Sequence, residues 1–192
     1  MPRPSQEPPP WSVIRIVWFA MVASTFIYLA VLFFAVQIPD QPPDRSMGLA
    51  LAVASLAMVA LSLVVPRVMF QKSLATLELP TREVVDPDAS LVLRNEAPTV
   101  RVYEDPSAAR RAVTVRFFTP FILGMALSEA VVIHGLVLGI LGFPPTVFAP
   151  FFVIGCALML PRFPREDAVM RQAEEATGVR LSDPSGPRSG ST

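Results

Sequence analysis

The sequence predicts an all-α polytopic membrane protein, a bundle of four transmembrane helices with a cytoplasmic middle segment. Three observations lead there. Hydrophobic residues make up 52% of the 192 residues and charged residues only 17%. The apolar residues do not recur at period 2 or 3.6, as a soluble core requires, but gather into long blocks almost free of charge. The arginines lie between those blocks, in the N-terminal arm, the long middle connection and the C-terminal segment.

Residues 1–11 are proline-rich and are expected to form a disordered arm. Transmembrane helix 1 is expected over residues 12–38. Trp11 and Trp18 suit the headgroup level, and Arg15 can snorkel to the same interface. This block is too long for a signal-peptide core and no A-x-A site follows it, so no cleavable signal is expected. Its polar groups, Ser24, Thr25 and Tyr28, include hydroxyls able to bond back to the carbonyl one turn earlier. Asp40, Pro42, Pro43 and Asp44 make a turn. Helix 2 is expected over residues 47–70. It carries Gly48, Ala50, Ala52 and Ala54, then Ser55, Ala57, Ala60 and Ser62, and small residues let membrane helices approach closely. Pro66 and Arg67 mark its inner end.

Residues 71–116 form the one sizeable polar connection. Leu91-Val92-Leu93 and Val100-Arg101-Val102-Tyr103 read as a small hairpin. Asp105-Pro106 is a helix start, with Asp as cap and Pro in the first turn. That helix should continue through Arg110, Arg111 and Arg116 into helix 3, over residues 117–142, with Pro120 kinking it at the interface. Gly142-Phe143-Pro144-Pro145 is a tight turn. Helix 4, over residues 145–161, is short for a span. Residues 162–192 should hold a short polar helix, with Gly178 as its C-cap, and a flexible tail from Leu181 onward.

The topology follows from the arginines. The first turn holds only Arg45 and the last holds none, so the positive-inside rule places both termini and the middle segment in the cytoplasm, in a cell inner membrane. An even number of spans agrees with that. Met21-x-x-Ser24 and Met125-x-x-Ser128 echo one another, as do Pro66-Arg67 and Pro161-Arg162. Shared membrane-helix vocabulary explains these echoes more simply than a duplicated hairpin.

Glu129 is the main functional pointer. It sits near the middle of helix 3, where an ionisable group costs about 2.5–3.5 kcal/mol on insertion scales. It is expected at an ion-binding or polar helix contact, with Ser128 sharing the pocket. At about 100° per residue, Gly124, Ser128, Gly135, Gly139 and Gly142 form one stripe, with Glu129 a quarter-turn away. Gly135-x-x-x-Gly139 is a small-residue packing pair. His134 is a secondary polar candidate. It lies about 140° from Glu129 around the helix, so the two should not face each other.

Other chemistry is thin. The chain has no HExxH, GxSxG, P-loop or Cys/His cluster, and the soluble segment holds no His or Cys. No metal, cofactor or catalytic residue is expected. Cys156 is alone in an apolar block and reads as a small hydrophobe. A net charge of zero gives no electrostatic reason to expect a nucleic-acid partner.

Gly48-x-Ala50-x-Ala52-x-Ala54 resembles the small-residue repeat in the first helix of rotary ATPase proteolipids, subunit c. Ala126-Leu127-Ser128-Glu129-Ala130, followed by His134-Gly135-Leu136-Val137-Leu138, resembles their second helix. The likeness implies that Glu129 matches the ion-carrying carboxylate and that the loop joining the two helices is cytoplasmic. It covers only the second and third spans. Residues 71–116 stand where proteolipids have a tight polar loop.

The expected function is a small non-enzymatic structural or assembly subunit. It would pack through spans two and three against a homo-oligomer or membrane-complex partner, with Glu129 buried at a helix contact. The alternative is a proteolipid-like ion-handling subunit in which Glu129 binds a proton or Na⁺.

Overall fold

The computed structural model describes residues 11–34, 44–85 and 99–181. The class is all-α, and four of its helices are long and apolar enough to span a membrane. They are α1 (Trp11–Phe34), α2 (Arg45–Ala75), α3 (Pro106–Ile140) and α4 (Pro145–Met159), which a 3-10 turn extends through Leu160–Arg162. A fifth helix, α5 (Glu166–Thr177), is amphipathic and short. Residues 35–43, 86–98, the N-terminal arm and the tail after Leu181 lie outside the described residues. So do the end of the expected first span and most of the expected first turn.

The chain divides into two units, and α2 and α3 each contribute to both. The membrane unit comprises α1, α2 through Phe70, α3 from Phe118, and α4 with its 3-10 turn. Contacts along α3 set the helix directions. Ser24 and Tyr28 meet Glu129, and Leu32 faces Gly139, so α1 runs parallel to α3. Ser62 meets Ser128, Ser55 meets His134, and Gly48 faces Phe143, so α2 runs antiparallel. Gly135 lies against Phe151 and Phe152 while Gly155 lies against Val132, so α4 is antiparallel as well. The arrangement is an up-down-up-down bundle organised around α3.

Burial agrees with that centrality. In the most apolar stretch of α3, 44% of residues are buried, against 11% for α2. Phe34 (91% exposed), Leu56 (70%) and Leu49 (69%) point outward with Phe26, Ile27 and Val153. So broad an apolar exterior is stable only against lipid or another membrane chain. The glycines of α3 serve different neighbours. A Cβ at Gly135 would lie 2.8 Å from Phe151, and one at Gly139 would lie 2.5 Å from Leu32. The predicted Gly135–Gly139 pair therefore admits α4 at one position and α1 at the other.

The small residues of α2 divide in the same manner. Gly48 receives the Phe143 ring, 2.9 Å from where a Cβ would stand. Ala54 is half-buried, while Ala50 and Ala52 are exposed. Alternate positions of a helix cannot share one face, so this run does not form a single contact inside the bundle.

The second unit holds a small core of Leu74, Val102, Ala109, Val113, Val169, Met170, Ala173 and Leu181. Asp105 caps α3, accepting from the Ser107 N–H (2.9 Å), the Ala108 N–H (3.0 Å) and the Ser107 hydroxyl (2.7 Å). Arg116 donates to the Ser73 carbonyl and to the Thr76 carbonyl (3.1 Å) and hydroxyl (3.2 Å). It thereby satisfies carbonyls that the end of α2 leaves without an intrahelical donor. Gly178 closes α5 at φ 67°, a left-handed value that favours glycine.

The hairpin differs from the expected one. Strand β2 (Thr99–Tyr103) is present, but its antiparallel partner is β1 (Thr81–Val85), in a register that sets Glu83 opposite Arg101. Arg82 and Glu83 make β1 read as polar loop, yet an edge strand tolerates outward charges and opposite signs pair across it. Beyond β2, Arg180 bonds in parallel fashion, with its N–H 2.9 Å from the Arg101 carbonyl. Leu91–Leu93 lie outside the described residues.

Candidate functional site

Glu129 lies about eleven residues from either end of the α3 portion within the membrane unit, roughly 16 Å along the axis from each. Its Oε1 accepts hydrogen bonds from the Ser24 hydroxyl (2.8 Å) and the Tyr28 hydroxyl (3.1 Å), both on α1. Those two residues are one helical turn apart and so present neighbouring hydroxyls to one point on α3. The single Ser24 hydrogen is shared between Oε1 and the Met21 carbonyl, 2.7 Å away, the local bond anticipated for it. Among the described residues Oε2 has no hydrogen-bond partner, yet it is not sealed inside the bundle, where no buried side-chain polar atom goes unpaired. Glu129 is half-buried. One oxygen is thus anchored to α1, and the other keeps accessible surface and no partner among the described residues.

The energies show why the open oxygen matters. A hydroxyl bond within a membrane contributes about 0.6 kcal/mol on average and about 1.7 at most. Two of them offset only part of the ~2.5–3.5 kcal/mol for placing a carboxyl at this depth. A proton, a cation or a donor from another chain at Oε2 would supply more.

Ser128 does not share that pocket. It is fully buried on the next face of α3, where its hydroxyl donates to the Gly124 carbonyl (2.9 Å) and meets the Ser62 hydroxyl (3.0 Å). One residue on a helix is a 100° turn, enough to separate the two side chains. The second participant is Arg162, from the 3-10 turn after α4. Its Nη1 donates to the Gly124 carbonyl (2.7 Å) and to the Ser128 hydroxyl. Its Nη2 donates to the Ser62 carbonyl and to the Ser62 hydroxyl (2.8 Å).

Pro66 explains why Arg162 is placed there. Proline has no N–H, so the carbonyl one turn back, at Ser62, loses its helical donor. Arg162 supplies it. Gly124 admits the side chain, since a Cβ there would lie 3.0 Å from Pro66 and 3.5 Å from the Arg162 guanidinium carbon.

His134 faces α2, where its Nδ1 is 2.7 Å from the Ser55 hydroxyl. The pair joins a hydroxyl to a base, the first requirement of an activated nucleophile. Among the described residues no third group orients the other ring nitrogen, and Ser55 is only 5% exposed. No group of three or more His, Cys, Asp or Glu residues able to hold a metal occurs among the described residues.

Sequence reasoning singled out Glu129, Ser128 and His134 but not their partners. In the sequence Ser24 and Tyr28 look locally satisfied, Ser55 and Ser62 are small residues among others, and Arg162 stands only in the Pro161-Arg162 echo of Pro66-Arg67. Spacing carried the missing signal. Ser24 and Tyr28 are four apart and Ser55 and Ser62 seven apart, so each pair lies on one helix face. In comparisons with known proteins, the chain matches no family model, no curated protein and no solved structure.

Proposed function

We propose that this integral membrane protein is a non-enzymatic structural or assembly subunit of a cell inner membrane, with both termini and the middle segment in the cytoplasm. The observation that carries the reading is the half-used carboxyl of Glu129. Oε1 ties α3 to α1, and Oε2 has no partner among the described residues. The outer face of α2 supports association, because Leu49, Val53 and Leu56 lie exposed there with Ala52. A homo-oligomer or a larger membrane complex would cover it.

The test is Glu129→Leu, examined by size in mild detergent. The assembly reading expects the oligomer to weaken or dissociate while the monomer stays helical. An intact oligomer contradicts it. Orientation is tested in a Cys156→Ala background. Arg45→Cys should react with an impermeant thiol reagent added to intact cells, and Glu78→Cys should not. The reverse pattern overturns the topology.

The open oxygen also favours a second reading, ion handling at Glu129 with a proton or Na⁺, as the resemblance to proteolipids implies. Its test is Glu129→Gln in reconstituted vesicles. Loss of ion flux supports this reading, and unchanged flux removes it.

A further inference from the structure

The central helix keeps one outward strip. In the most apolar stretch of α3 44% of residues are buried, yet Ala126 is exposed, Ile133 is 40% exposed and Ile140 47%. Ala130 is half-buried beside them. At 3.6 residues per turn these four and Glu129 fall within about 100° of arc. Glu129 forms the edge of the strip nearest α1, where Ser24 and Tyr28 bond Oε1. Oε2 keeps accessible surface and has no hydrogen-bond partner among the described residues.

Ala126 and Ala130 are one turn apart, a spacing at which small residues let a second membrane helix approach closely. A carboxyl at such a contact needs a partner at its own depth. Thr25, Ser55, Ser62 and Ser128 are buried in the bundle, and His134 lies about 140° away around α3, beside Ser55. Ser24 and Tyr28 already bond Oε1. Among the described residues, the polar group that a second copy can bring to this strip is therefore its own Glu129. A two-fold axis along the membrane normal sets the two carboxyls at the same depth, since the same patch meets itself. Carboxyls are self-complementary once one of the two carries a proton, because one then donates and the other accepts. Such a charge-assisted bond is about twice as strong as a neutral one. It also leaves one charge in the bilayer where two separate carboxylates would leave a pair.

We propose that two copies of the chain pack α3 against α3 along this strip, with the two Glu129 side chains sharing one proton between their Oε2 atoms. The inference rests on the assembly reading above and names its partner, a second copy, together with the bond that joins them. Oε1 of each copy keeps its hold on α1, so pairing leaves the bundle as it is.

The contact is tested in the full chain with Cys156→Ala as background. Ala126→Cys should give a disulfide-linked dimer when native membranes are oxidised, and its absence overturns the proposal. The carboxyl pair is tested by mixing copies that carry different tags and measuring dimer dissociation in mild detergent. A dimer of one unaltered chain and one Glu129→Leu chain should be as weak as a dimer of two Glu129→Leu chains, because either change breaks the one shared bond. A mixed dimer of intermediate strength means that each Glu129 acts alone, and overturns the pairing. If Leu56→Cys, on the outer face of α2, cross-links and Ala126→Cys does not, the assembly reading stands and this pairing falls. Monomers throughout overturn both.

Discussion

Arg162 spends Nη1 on Gly124 and Ser128 and Nη2 on Ser62, whereas Glu129 takes two hydroxyl bonds on Oε1 and holds Oε2 back. Both charges are drawn into the same bundle. One replaces a missing backbone donor and is nearly used up inside the chain. The other fastens α1 to α3 with half its capacity. The contrast separates an ionisable residue that holds the fold from one that is also available to something outside it. Position alone does not make that separation, since a charge at membrane depth is a functional candidate by default.

The largest expected effect of breaking this contrast comes from Arg162→Ala. It removes the Arg162 donor to the Ser62 carbonyl, which Pro66 has already deprived of its helical partner, and should destabilise by about 3 kcal/mol. Adding Pro66→Ala restores an N–H to that carbonyl and should recover about 1–2 kcal/mol. Reversible unfolding in detergent measures the cycle. Strict additivity of the two changes would remove Arg162 from the role of substitute donor.

Ser24→Ala and Tyr28→Phe come next, at about 0.6–1.7 kcal/mol each. Tyr28→Phe should be the larger, since Tyr28 gives its hydrogen to Oε1 alone, whereas the single Ser24 hydrogen is shared between Oε1 and the Met21 carbonyl. Glu129→Gln keeps an acceptor for both hydroxyls and should change stability by less than about 1 kcal/mol in the same assay. A large loss there would mean that charge at Glu129 holds the bundle, as it does for Arg162.

The smallest expected effect lies in the other unit, at the cap of α3. The Ala108 N–H, together with the Ser107 hydroxyl and N–H, holds the Asp105 carboxyl below its ordinary value. A depressed folded-state value contributes stability above the unfolded one, about 3.9, that is lost as pH falls through the folded value. Asp105→Asn retains a cap and should flatten that acid limb, while Asp105→Ala should also lower stability at neutral pH. Circular dichroism melts across the acid range check both.

The architecture was legible because long uncharged blocks leave a chain few alternatives to spanning a bilayer. Glu129 was legible for the same reason, since a carboxyl in such a block has no bland setting. What could not be read was pairing. Ser24, Tyr28, Ser55 and Ser62 are each ordinary in a membrane helix and acquire meaning only from the helix opposite. Arg162 was harder, because arginine after a span signals topology first. Only contact with Pro66, distant in sequence, shows its second use. The β1 strand was missed because charged residues on an exposed edge look like loop.

The most direct test of the open oxygen is labelling of Glu129 by a hydrophobic carbodiimide in native membranes, located by mass spectrometry. The account predicts modification at Glu129 with the protein still folded. A folded protein in which Glu129 stays unmodified would contradict it, because both oxygens would then be committed within the bundle.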